Sequence, residues 1–148
     1  MRRMIVVLTA AVAVLAFLSG TAQAAAHQFR GHIATTAVPG PTITIAGHGI
    51  ISGLGVTTMT GSQTADPTTG ALTGSGTFTA ANGDDITFAW TDVPDAGAPP
   101  TITFAGTMRV IDATGRLADR SGKVSFTGGF DFRTNTGSFD VSGALNSH

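Results

Sequence analysis

The chain has 148 residues, with eight Lys and Arg against nine acidic residues, no Cys and no Tyr, and a formal charge of −1 at pH 7. That balance lacks the basic footprint of a nucleic-acid binder, and the missing cysteine excludes disulfide staples and thiolate metal sites. Glycine is abundant, at 20 residues, and good helix formers other than Ala are scarce, a composition that favours strands and turns.

The chain opens on a leader pattern. Met1-Arg2-Arg3 is a basic n-region, residues 4–18 are apolar, and Thr21-Ala22-Gln23-Ala24 ends as an A-x-A cleavage site. The apolar run, about 15 residues, is shorter than the roughly 20 that span a bilayer. The pattern predicts a signal peptide over 1–24, cleaved after Ala24, and a secreted or periplasmic protein with no membrane segment thereafter. Residues 25–148 then make a single β-barrel domain, with six basic residues against nine acidic ones once Arg2 and Arg3 are removed.

Strands are predicted over 28–36, 42–52 and 54–64, the first two split by Pro39-Gly40-Pro41, and Asp66-Pro67-Thr68-Thr69-Gly70 is a turn. From Gly74 onward apolar residues fall at period two: Phe78 and Ala80; Ile86, Phe88 and Trp90; Ile102, Phe104, Met108 and Val110. Val124, Phe126, Phe130 and Phe132 continue the pattern, then Phe139, Val141 and Leu145, with Thr and Ser between. One face is core and the other wet, as in antiparallel sheets. Ala81-Asn82-Gly83 predicts a three-residue hairpin loop that sets Phe78 opposite Ile86. Residues 92–100, with three prolines, read as a loop. A loop at Thr134-Asn135-Thr136-Gly137 would pair Phe132 with Phe139 and Phe130 with Val141. Pairing Val110 with Val124 would align Gly106, Gly128 and Gly143 on the core face, where phenyl rings or a ligand fill the space.

Between two of these runs lies DATGRLADRSGKVSF, residues 112–126, with five charges in a chain that has few. It reads as a long turn whose charges satisfy one another and the backbone. Asp112, Arg116 and Arg120 could alternatively form a polar mouth that receives a carboxylate. Eight short strands without a long helix point to an eight-stranded antiparallel up-and-down barrel, with a two-sheet β-sandwich as the alternative.

Thr114-Gly115-Arg116-Leu117, followed by Ser121-Gly122, resembles the G-G-T-G-R-F-x-G-A-x-G motif of the allene oxide cyclase and dirigent barrels. Gly74-Ser75-Gly76-Thr77-Phe78 and Ala80-Ala81-Asn82-Gly83-Asp84 are similar to stretches of small secreted bacterial proteins of the allene oxide cyclase barrel-like kind. The resemblance spans residues 74–145 and implies a calycin- or dirigent-like barrel. Asp112-Ala113 stands where the motif has Gly-Gly, and Asp119-Arg120 where it has Gly-Ala. The acidic, tyrosyl and cysteinyl groups associated with the plant cyclases have no counterpart in a chain without Glu, Tyr or Cys. The resemblance therefore implies no catalytic residues here.

No site of catalysis, metal or cofactor is readable. The four histidines, His27, His32, His48 and His148, have no metal-ligand spacing, and His27 and His32 fall on opposite faces of one strand. Asp131 and Asp140 are predicted opposite each other on the outer face, neutralised by Arg133 or Arg109 or holding a cation or proton. No G-x-S-x-G elbow accompanies the many Ser and Thr, and Gly74-Ser75-Gly76 lacks the context of a phosphate loop. The leading expectation is non-catalytic binding of a small lipophilic ligand in a barrel lined by Phe88, Trp90, Phe104, Met108, Phe126 and Phe130. The alternatives are an isomerase or cyclase that uses the cavity, for which inward polar groups would have to come from around His32 and His48, and a solid barrel whose outer wall interacts with partners or with copies of itself. A single Trp and no Tyr provide no girdles for an outer-membrane barrel.

Overall fold

Period-two alternation puts the apolar side chains of each strand on one face, and in this protein that face turns inward around a closed barrel. A computed structural model describes residues 26–94 and 100–148. The predicted leader, residues 1–24, lies outside the described residues. The strands are β1 (Ala26–Val38), β2 (Ile43–Ile51), β3 (Gly55–Ala65), β4 (Leu72–Ala80), β5 (Asp85–Pro94), β6 (Thr101–Ala113), β7 (Arg120–Ser121), β8 (Lys123–Asp131) and β9 (Thr136–Ser147).

Each long strand runs antiparallel to its neighbour in the order β1-β2-β3-β4-β5-β6-β8-β9. β1 then pairs with β9 from Ala26↔Asn146 to Thr36↔Thr136, which closes an eight-stranded barrel and eliminates the two-sheet sandwich. Closure pairs each of the eight long strands on both sides. The two-residue β7 adds a short rung at the end of β9.

The β4–β5 hairpin has the predicted register, Phe78↔Ile86, with Gly83 at φ +89° in its loop. Elsewhere the register moves by even steps, which keeps the faces and changes the partners. Met108, not Val110, pairs with Val124, because a wide arch over residues 114–122 joins β6 to β8 and drops Leu117 into the core. Phe130 pairs with Gly137 and Phe126 with Val141, because the tight turn is 132–135, with Asn135 at φ +54°. The Asp131 carboxylate accepts the Arg133 backbone N–H at 2.8 Å and fixes that turn. β5 also continues through Asp92 to Pro94, where a loop was expected. Proline is tolerated there because it falls at the strand end.

The three core-face glycines consequently do not align with one another. Gly106 faces Phe126, Gly128 faces Phe139 and Gly143 faces Val124. A Cβ on Gly106 would stand 2.8 Å from Phe126 Cζ, and one on Gly128 2.6 Å from Phe139 Cβ. Each glycine is the small half of a small–large pair that lets a bulky neighbour cross the interior.

The two halves of the interior differ. Toward the 112–122 arch, Phe78, Phe88, Ile33, Ile51 and Ile86 are fully buried. Phe29, Phe78 and Phe88 meet at ring-centroid distances of 5.4 to 6.3 Å, largely edge to face. This half is a solid plug. The other half is hollow.

Candidate functional site

Above the plug lies a cavity of about 330 Å³, bounded by Trp90 on one side and by Phe104, Phe126, Phe130 and Phe139 on the other. Trp90 lies over β3 and β4 because those strands carry no side chain beneath it. A Cβ on Gly61, Gly74 or Gly76 would come within 2.9 to 3.0 Å of the indole. The indole Nε1 donates to Gln63 Oε1 at 3.1 Å, which fixes the ring about its long axis. Phe104 and Phe126 pack at 6.1 Å, Phe126 and Phe139 at 6.2 Å, and Phe130 with Phe132 at 5.2 Å. Phe132 is half exposed.

Five of the six predicted lining residues, Trp90, Phe104, Met108, Phe126 and Phe130, border this cavity. Phe88 sits deeper, in the plug. Met108 forms part of the floor.

The group that the sequence reading missed is Asp92. It follows Phe88 and Trp90 on the inward face of β5, flanked by Leu72 on β4 and Gly106 on β6. The residue is 4 % exposed and borders the cavity. Its Oδ1 has no hydrogen-bond partner among the described residues. Burial pushes its carboxyl up to about 6, with its own backbone N–H a smaller opposing influence. The period-two step from Trp90 was the available signal, and the prolines downstream masked it. Thr35, Gln63 and Asp92 are the polar side chains among the described lining residues, and none of those residues is Lys, Arg or His.

The charged arch closes the opposite end of the barrel, away from this cavity. Asp112 accepts from the Ala113 N–H at 2.9 Å. Arg116 does not serve its own turn: its Nε donates to Asp84 Oδ2, in the β4–β5 loop, at 3.1 Å. The Asn82 side chain, followed by Arg116, holds the Asp84 carboxyl below its ordinary value. Thr114 Oγ1 accepts from the Asp85 N–H at 3.0 Å, so the start of the arch is tied twice to the β4–β5 hairpin. Arg120 stands 3.8 Å from Asp119 and borders a smaller cavity of about 110 Å³ with His27, Ser52 and Leu117.

The other singled-out residues lie on the outer wall or at strand ends. Asp131 and Asp140 are not opposite each other, since Asp131 pairs with Thr136 and Asp140 with Thr127. Arg133 neutralises Asp131 at 2.9 Å and holds its carboxyl low, while Asp140 meets His32 Nδ1 at 2.8 Å. His48 is exposed on β2. His27 reaches Ser147 at 3.3 Å and His148 reaches Ser121 at 2.7 Å. Among the described residues no three potential metal ligands converge. Comparison with protein-family models, curated proteins and solved structures gives no match to this chain.

Proposed function

We propose that this protein is exported and holds one small lipophilic molecule in the hollow half of its barrel. The observation that carries the reading is the contrast between the two halves: packed side chains leave about 110 Å³ at the edge of one, while in the other the aromatic rings stand back around about 330 Å³. A volume of roughly 150 Å³ accepts benzene, and small-molecule sites begin near 300 Å³, so the cavity suits a body of about ten carbons. Covering roughly 200 Å² of such a body at about 25 cal/mol per Å² yields about 5 kcal/mol, which places Kd on the order of 0.1 mM.

Trp90 is the only tryptophan and borders the cavity, so it reports occupancy directly. Titration with 1-adamantanemethanol, a neutral compact probe, should change its emission saturably. Native mass spectrometry of the protein from its own cells should show added mass that dissociates as a small lipophilic molecule. Unchanged emission together with a bare-chain mass would refute the proposal.

A further inference from the structure

The cavity has one feature that apolar binding alone does not require. Asp92 places a carboxyl in a wall otherwise built from Trp90, Phe104, Met108, Phe126 and Leu72. The residue is almost wholly buried, and one of its oxygens is unpartnered among the described residues. Among the described residues none beside it compensates a charge: its cross-strand neighbours are Leu72 and Gly106, its inward neighbours on β5 are Trp90 and Pro94, and the described lining contains no cation. Gln63 accepts the indole N–H through its Oε1, and as a neutral amide it brings no charge to the wall. A buried, unpaired carboxylate is unfavourable unless a partner arrives.

We propose that the ligand is a lipophilic amine whose ammonium group pairs with Asp92 while its apolar body fills the aromatic half of the barrel. This rests on the reading of the cavity as a ligand site. A neutral hydroxyl would supply one hydrogen bond and leave the charge uncompensated, whereas an ammonium supplies both the donor and the charge. The rings of Trp90, Phe104, Phe126 and Phe130 border the same space, and aromatic faces attract cations. The carboxyl and the rings thus favour the same headgroup, and an anionic ligand would be repelled.

Three probes with one body separate the possibilities: 1-adamantanemethylamine, 1-adamantanemethanol and 1-adamantanecarboxylate, titrated at pH 7.5 by calorimetry and Trp90 emission into the wild type and Asp92→Asn. The amine should bind the wild type at least tenfold more tightly than the alcohol, and the carboxylate most weakly. In Asp92→Asn the amine should lose its advantage over the alcohol, whose hydroxyl the Asn oxygen can still accept, and a saturable change of Trp90 emission with the alcohol shows the cavity intact. Equal binding of amine and alcohol to the wild type, or tightest binding of the carboxylate, would overturn the amine assignment and leave the cavity reading standing. Binding of none of the three would overturn both.

Discussion

Asp92→Asn removes a charge while keeping the shape of the side chain, and the consequence for stability can be worked from the structure. The unfolded carboxyl titrates near 3.8 and the folded one near 6. Well below 3.8 the group is protonated in both states and costs nothing. Between pH 4 and 6 the folded protein retains a proton that the unfolded chain releases, so stability falls as pH rises. Above 6 the cost is complete: a difference of about two pK units, or roughly 3 kcal/mol. Asparagine keeps a buried polar group, so the recovery should be about 1–3 kcal/mol at pH 7.5 and below about 1 kcal/mol at pH 4. Urea denaturation of both proteins at those two pH values measures it. The difference between variant and wild type isolates Asp92 from the other acidic residues, several of which have carboxyls held low by hydrogen bonds, as at Asp66 and Asp131. A stability difference that is the same at both pH values, or a wild type more stable than the variant at pH 7.5, would refute the burial argument.

The solid and hollow halves should respond differently to truncation and crowding. Phe78 is fully buried and meets the rings of Phe29, Phe88 and Phe139, so Phe78→Ala should cost about 3–5 kcal/mol in the same urea assay; a loss below 1 kcal/mol would mean the plug is loosely packed. Gly76→Ala sets a Cβ 2.8 Å from the Thr60 carbonyl oxygen and 3.0 Å from the indole, and should cost about 1–3 kcal/mol while shifting Trp90 emission, as the ring is pushed toward the cavity. Unaltered emission would show that the glycines do not set the position of the ring.

What the sequence makes legible here is the face of each residue, and what it leaves open is the partner. Alternation alone sends Phe78, Trp90, Phe126 and Phe139 inward, because the pleat fixes that parity whatever the pairing. Asn82-Gly83 also settles one hairpin, since a loop that short permits a single register. At the β8–β9 turn two candidates compete for the left-handed position, and Asn135 takes it while Gly137 enters the strand. The choice depends on the Asp131 side chain folding over the Arg133 N–H, which composition does not reveal. Asp92 escaped for a related reason: the prolines from Pro94 onward obscured the three residues, Asp92 to Pro94, by which the strand runs into the predicted loop. The destination of Arg116 was hidden as well, because Asp84 belongs to the β4–β5 loop, which the β5–β6 pairing at Ile86↔Ala113 brings alongside. Parity names the rings that point inward, and only their three-dimensional stacking decides which half they fill.

The seam between β1 and β9 governs the order of events in folding. His27 and Ser147, which touch across it, are 120 residues apart in the chain. Until β9 has emerged and docked, β1 and β8 each present an open row of backbone groups, and no shorter piece of the chain forms a closed sheet. Local hairpins such as β4–β5 form early, but the closing step waits for the last strand, and such distant pairing folds slowly. The sheet therefore stays open until β9 docks on β1. That delay leaves the exposed edges of β1 and β8 as the place where an interrupted molecule would stick to its neighbours.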